Sequence, residues 1–157
     1  MSSMNSCFAL ICWENKILLF LRDDIPTIPY PNYWHLPGGG SDKGETPEVA
    51  MKRELAEEVS HIPKNLKLLG DFTKPNGHNT HIFSAFVDDD EAKLFRLGKG
   101  EGQEIRFFTI KEMKKLALTR NIDGYLRNQE ELLVQALKTK SLKKLKLEYP
   151  ALWLPKT

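Results

Sequence analysis

Residues 38 to 59 read Gly38-Gly-Gly-Ser-Asp-Lys-Gly-Glu-Thr-Pro-Glu-Val-Ala-Met-Lys-Arg-Glu-Leu-Ala-Glu-Glu-Val59, a glycine-rich loop running into a strongly acidic helix. Thr46 can cap the free backbone N–H groups, Pro47 suits the first helical position, and Glu48 suits the positive end of the helix dipole. From there the apolar residues Met51, Leu55, Val59 and Ile62 recur at spacings of four, four and three, one stripe to bury. Glu54, Glu57 and Glu58 fall on a different stripe, because at about 3.6 residues per turn positions i, i+3 and i+4 stand above one another. Like charges so placed repel by roughly 0.2–0.5 kcal/mol per pair. The arrangement makes better sense around a cation, since hard divalent ions such as Mg2+ take oxygen ligands and bridge carboxylates to substrate phosphate. The bland alternative is a solvated acidic face with Arg53 paired to Glu57.

The loop in front of the helix favours the first reading. Gly38, Gly39 and Gly40 allow backbone geometry and close approach that a side chain forbids, and Gly44 adds a flexible point before Glu45. The whole run resembles the Nudix box: Gly, five residues, Glu, seven residues, then Arg-Glu-U-x-Glu-Glu-x-Gly-U, with U a bulky aliphatic. Gly39, Glu45, Arg53, Glu54, Leu55, Glu57 and Glu58 all fall in register. Two positions depart, Ser60 standing where the pattern has Gly and His61 where it has an aliphatic residue. Pro63 stops the helix soon after in either case.

The resemblance covers roughly residues 5 to 140. It implies an α/β (α+β) fold, a mixed β-sheet sandwiched between α-helices, and cleavage of a diphosphate linkage in a nucleoside diphosphate bound to some further group. It implies Mg2+ (or Mn2+) as cofactor, with Glu57 and Glu58 as direct ligands and the Gly38 carbonyl beside them. Glu54 is then general base or further ligand. Arg53 and Glu45 orient the carboxylates, and Gly39 and Gly40 are places where substrate meets the backbone. A further metal-binding Glu outside the box is expected in the loop Gly98-Lys-Gly-Glu-Gly-Gln-Glu104, with Glu101 favoured and Glu104 its substitute. The other reading of that loop is a solvated turn whose acids offset Lys99 and Arg106. The implied substrate is a nucleoside triphosphate such as 8-oxo-dGTP; ADP-ribose, another sugar nucleotide, or a nucleotide-binding module with little catalysis are the alternatives.

Elsewhere the chain supplies a frame. Residues 7–13 and 17–21 are apolar and separated by the polar turn Glu14-Asn15-Lys16, a hairpin signal. Arg22 closes the second strand before a Pro-rich loop, Asp23 to Asn32; the resemblance implies a basic residue here that meets substrate phosphate, and the other reading is a surface Arg paired to Asp23 or Asp24. Tyr33-Trp-His-Leu-Pro37 leads into the glycines as a short strand, with His35 either hydrogen-bonded in place or touching the ligand. Residues 66–72 and 81–87 read as strands joined by the turn Pro75-Asn-Gly77, with His78 and His81 as turn and strand residues. Asp88-Asp-Asp-Glu91 reads as a solvated strand exit. Residues 105–110 form a further strand and 111–117 a short helix. Asp123-Gly124 marks a break, and Tyr125 to Lys138 a helix with Leu126, Leu133 and Leu137 inward. Phe72, Phe83 and Phe107 either stack on a base or fill the core.

Length and composition set bounds. The 157 residues fit one domain, 1–157, with a core at about 5–140 and a basic, aromatic C-terminal extension. The formal charge of +2 demands no stable nucleic-acid partner, and Lys138, Lys140, Lys143, Lys144 and Lys146 read as a solvated helix face. The closing segment 149–154 is expected to dock on its own domain or on a second subunit of a homodimer. Cys7 and Cys12, five apart, point to opposite faces of a strand, which argues against a disulfide. No basic leader precedes the first apolar run and no run is long enough to span a bilayer, so the expectation is a cytoplasmic protein with reduced thiols.

Overall fold

The computed structural model describes residues 5–147. Its strands are β1 (Asn5–Trp13), β2 (Lys16–Leu21), β3 (Trp34–His35), β4 (Gly38–Gly40), β5 (Lys67–Thr73), β6 (Asn79–Val87) and β7 (Glu104–Thr109). Its helices are α1 (Pro47–Val59), α2 (Asp89–Ala92), α3 (Ile110–Met113) and α4 (Arg120–Thr139). Along the main sheet the order is β3-β2-β1-β6-β5; β7 adds to β2 and β4 to β1. The β1–β6 pair is parallel and the others are antiparallel, so the sheet is mixed, as the resemblance implies.

One irregularity in this sheet places the site. β1 and β2 pair only beside their turn, at Cys12↔Ile17 and Trp13↔Lys16, and then part. The gap is filled by the segment 34–40, which pairs with β2 through Trp34 and His35 and then crosses to pair with β1 through Gly38, Gly39 and Gly40. Between the two pairings, the Pro37 carbonyl accepts from the Ala9 N–H. An opened hairpin thus holds the glycines at a fixed place inside the sheet.

Alternation along β1 divides the core. Cys7, Ala9 and Ile11 face α1 and pack with Met51, Leu55 and Val59; Leu10 and Cys12 face α4 and pack with Tyr125 and Leu133. The two thiols lie on opposite faces and are free, and burial pushes both up to about 12. Phe72 and Phe83 are core residues, and Phe107 packs edge-on against Trp13 and Phe95. Burying Met51, Leu55 and Val59 contributes roughly 1.5–3 kcal/mol each, which offsets the polar cost of the rest of α1.

Four local expectations change. Ile62 lies past the end of α1 and is partly exposed, because the helix stops when Ser60 turns left-handed (φ 61°). The acidic run 88–91 is not a loose exit. Asp88 caps α2, and Glu91 is buried, accepting from the Lys64 N–H and sitting 2.8 Å from His61 Nε2. Asp123-Gly124 does not break α4: Asp123 suits the positive helix start and pairs with Arg127 one turn on, while the real kink falls at Gln129 (φ −140°). The lysine run is not one helix face, since Lys140 adopts a left-handed conformation and ends α4. Leu142 and Leu145 then return to the core, and the Gln129 side chain bonds both the N–H and the carbonyl of Lys146. The aromatic segment 149–154 lies outside the described residues. Among the described residues no helix is long and apolar enough to cross a membrane.

Candidate active site

Gly38 is where strand and acidic helix meet. Its φ is +146°, and a Cβ there would lie 2.0 Å from the Cys7 carbonyl oxygen, so only glycine fits between β1 and α1. Its N–H donates to Glu58 Oε1 at 2.7 Å. A Cβ on Gly39 would meet the Glu54 carboxylate at 2.9 Å, which measures how closely that acid packs on the strand.

Three carboxylates converge here: oxygens of Glu54, Glu58 and Glu101 lie within 4.8 Å of one another. Glu101 arrives on the loop between α2 and β7, whose Arg96 and Gly98 N–H groups donate to the free Val59 and Glu58 carbonyls at the end of α1. Gly98 permits this docking, since a Cβ would strike the Glu57 carbonyl at 1.7 Å. Glu104, the substitute ligand, instead starts β7 and pairs with Arg106. Glu57 stays outside the convergence. Its side chain is 54% exposed and 3.3 Å from Arg53, and with Lys99 and Glu101 it lines an open hollow at the end of α1. Helix geometry explains the order. Counting about 100° per residue from Met51, Glu58 falls about 20° from the buried stripe, Glu54 about 60° and Glu57 about 120°.

Arg53 ties the flank together. It makes a two-pronged bond to Glu45, Nε to Oε2 at 2.8 Å and an Nη to Oε1 at 3.1 Å, and donates also to Glu54, Glu57 and the Gly40 carbonyl. The paired guanidinium holds the Glu45 carboxyl below its ordinary range, and Glu45 holds Arg53 charged. The geometry is that of a pair orienting the neighbouring acids.

The inner acids behave oppositely. Burial pushes Glu58 up to about 9 and raises Glu54, with Arg53 working against the shift at Glu54. His35, wedged edge-on between Phe8 and Phe20, is pulled by burial down to about 3. Its Nε2 is 3.8 Å from Glu58 Oε2 and, among the described residues, has no hydrogen-bond partner. At neutral pH both groups are uncharged, so this contact is not an ion pair. An all-oxygen donor set, in which Glu54 and Glu58 are buried and held back from ionising while Glu101 approaches from the exposed loop, is the chemistry that suits a hard divalent cation, and the residues fit one.

On the other side of the same glycines lies a pocket of about 230 Å³, lined by Phe8, Arg22, Tyr30, His35, Gly38, Gly39, Thr119 and Arg120. Arg22 donates its Nε to the Pro29 carbonyl, bracing the Pro-rich loop that forms one wall. Phe8, Tyr30, Thr119 and Arg120 were not singled out from the sequence. An aromatic among prolines is a signal that could have marked Tyr30. Nothing local marks Thr119 and Arg120, which reach the pocket because the segment 117–119 hydrogen-bonds to Trp34.

Comparison with known proteins gives a consistent picture. The family model of the NUDIX domain matches residues 5–136. An ADP-ribose pyrophosphatase of Methanocaldococcus jannaschii is 35% identical over 118 residues, 73% of this chain and 68% of that protein. An RNA pyrophosphohydrolase of Sulfurovum sp. is 51% identical over 95 residues, 57% of this chain and 59% of that protein, so that match spans less than two thirds of the relative. Among solved structures, the NUDIX domain of Shewanella oneidensis NrtR, complexed with ADP ribose, superposes with a TM-score of 0.63 at 18% identity over 90% of each chain, a likeness of fold alone.

Proposed function

We propose, from the premise that this chain belongs to the NUDIX family and is a hydrolase of pyrophosphate bonds, that it is a Mg2+-dependent hydrolase of a nucleoside diphosphate linked to a further group. ADP-ribose is the first candidate substrate. The observation that carries the reading is that one glycine strand separates the two halves a diphosphate needs. Carboxylates of Glu54, Glu58 and Glu101 lie on one side, and a pocket with aromatic and arginine walls on the other. The acting unit is taken as one domain with its core at about 5–140.

Glu54, Glu58 and Glu101 would hold the ion, with Glu57 and the Gly38 carbonyl joining them. When bound, Mg2+ neutralises phosphate oxygens and lowers the pKa of a water for attack on phosphorus. The chain's own groups do the rest. The Gly38 N–H fixes Glu58, Arg53 fixes Glu54 with Glu45 behind it, and Glu54, so oriented, is the carboxylate that would receive a proton from the attacking water. Arg22 faces the phosphate charge, Phe8 and Tyr30 offer stacking surfaces, and Gly39 and Gly40 let substrate approach the backbone. His35, neutral in its aromatic cage, offers an uncharged N–H toward the ligand.

Support for ADP-ribose comes from the archaeal relative's named activity. A triphosphate end, 8-oxo-dGTP among the candidates, is the second reading, favoured by arginines on two walls of the pocket and by the second relative's named activity. Incubating the full chain with ADP-ribose, 8-oxo-dGTP, dGTP and a 5′-triphosphorylated RNA, with and without Mg2+, tests both. ADP-ribose should yield AMP and ribose 5-phosphate only with metal, whereas release of pyrophosphate from a triphosphate establishes the second reading. Tight binding with no turnover of any of them would make the chain a nucleotide-binding module and overturn the enzyme reading.

A further inference from the structure

The loop that carries Glu101 and the loop that walls the pocket are stitched together, and the stitch is Gln103. Its side-chain Nε2 donates to the Arg22 carbonyl at 2.7 Å and to Asn32 Oδ1 at 2.9 Å. A carbonyl can only accept, so the Arg22 contact fixes which way the Gln103 amide faces. Its backbone N–H donates to the Leu21 carbonyl, and the preceding Gly102 N–H donates to Asp23 Oδ1. These partners form the neck of the Pro-rich loop, which is closed from within by Arg22 N–H to the Tyr33 carbonyl and Asn32 N–H to the Asp23 carbonyl. At its tip Tyr30 is held left-handed at φ 51°, as is Asn32 at φ 63° in the neck, conformations that the surrounding bonds must maintain for a residue with a side chain. Glu101 lies two residues before Gln103 and directly before Gly102.

We infer that Gln103 is a positioning residue coupling the substrate pocket to the carboxylate set: by clasping the neck of the Arg22–Tyr33 loop it sets Glu101 against Glu54 and Glu58, and a ligand on Tyr30 and Arg22 stiffens the same clasp. This deepens the cation-site reading proposed above and rests on it. The side chain is exposed, and its two bonds contribute little to global stability, because water can replace them. Their effect is local. They hold one backbone segment whose neighbour on one side is a ligand-bearing residue and on the other a pocket wall. Coupling of this kind is reciprocal, so whatever factor the pocket ligand adds to metal affinity, the metal adds to the pocket ligand.

A double-mutant cycle on the full chain tests this, with Mn2+ binding followed by electron paramagnetic resonance in the absence of nucleotide. Glu101→Gln should weaken Mn2+ binding about tenfold, and Gln103→Met, which keeps the volume but has no donor, should weaken it by a similar factor. The double variant should bind no more than about twofold more weakly than Glu101→Gln alone, since Gln103 acts through Glu101. Asn32→Gly, which keeps the left-handed backbone and removes one acceptor, should fall between wild type and Gln103→Met. In turnover assays Gln103→Met should raise KM and lower kcat together, whereas Glu101→Gln lowers kcat with KM little changed. Wild-type Mn2+ binding in Gln103→Met, or additive losses in the double variant, would overturn the coupling while leaving the cation site standing. Wild-type Mn2+ binding in Glu101→Gln would instead take Glu101 out of the cation site and remove the coupling with it, whereas no Mn2+ binding by the wild type would remove the cation-site reading itself.

Discussion

The two long helices cover opposite faces of one sheet, yet they spend their burial in opposite ways. α4 buries Ile122, Tyr125, Leu126, Leu133 and Leu137 and, among its described residues, no acid; Gln129 at the kink has its amide oxygen and nitrogen both engaged by the Lys146 backbone, and the Tyr125 hydroxyl is the neutral group left without a partner. α1 is shorter and buries two acids, Glu58 at 3% exposure and Glu54 at 9%, against a single N–H for Glu58 and one prong of Arg53 for Glu54. An acid buried with so little compensation is costly, and protonation or a cation is what relieves it. Buried acids of that kind are found on α1 and not among the described residues of α4, which is what the proposed division between a cation-binding helix and a supporting one rests on.

The sharpest way to break this contrast is Glu58→Gln. At neutral pH, without metal, Glu58 is already uncharged, so the amide keeps the Gly38 contact and the fold is expected to persist. Turnover should nevertheless fall by about a thousandfold or more, because a neutral amide cannot anchor the cation. Steady-state kinetics beside a thermal melt checks both halves; retained turnover would move the chemistry off α1.

The mirror experiment is Leu133→Ala on α4. Leu133 is fully buried in the cluster that joins Leu10, Leu19 and Tyr125, and the truncation should cost about 2–5 kcal/mol in denaturant unfolding. The kcat of the remaining folded protein should stay near that of wild type. A variant that kept stability and lost kcat would show α4 to be part of the catalytic apparatus.

The same contrast marks what could be read before any coordinates. Thr46, Pro47 and the spacing of Met51, Leu55 and Val59 announce α1 because caps and periodicity are local properties, and the carboxylate positions follow from them. The ranking of those acids was also implicit in that spacing. Glu58 lies nearest the apolar stripe and Glu57 farthest, although pattern matching alone treats the two as equivalents. The pocket was not legible, because Phe8, Tyr30 and the pair Thr119-Arg120 come from three separate segments that only the opened β1–β2 hairpin brings together. The break read at Asp123-Gly124 fails for a related reason. Glycine lowers helix propensity locally, but packing of Ile122 and Tyr125 into the core overrides it.

A finer test uses pH. The folded-state value of Glu58, about 9 against an ordinary 4.5, means that the folded metal-free protein binds a proton which the unfolded chain has released between those two values. Stability from this group is therefore full below about 4.5 and is lost as pH rises toward 9. Metal-free melting temperature should decline over that window, and Glu58→Gln should flatten the decline. Metal competes for the same site, so Mg2+ binding should release a proton and strengthen by up to about tenfold per pH unit until about pH 9. Calorimetry in buffers of different ionisation enthalpy measures the proton directly. Affinity independent of pH would mean that Glu58 is already ionised, and the contrast between the helices would lose its electrostatic half.

The smallest expected effect lies at the join between α1 and the rest. Ser60 adopts φ 61°, ψ 15°, the left-handed turn that a glycine makes without penalty, and it does so where the Nudix pattern has Gly. The turn survives because its surroundings hold it: Arg96 and Gly98 N–H groups take the last carbonyls of α1, while His61 rests edge-on upon Phe95 and 2.8 Å from buried Glu91. Ser60→Gly should therefore stabilise the protein by at most about 1 kcal/mol, since it removes the left-handed penalty but adds flexibility to the unfolded chain. kcat should not change, because every carboxylate keeps its position. Destabilisation by Ser60→Gly would mean that the serine side chain contributes to the exit in its own right, and a changed kcat would mean that the exit of α1 helps to place Glu58 and the Glu101 loop.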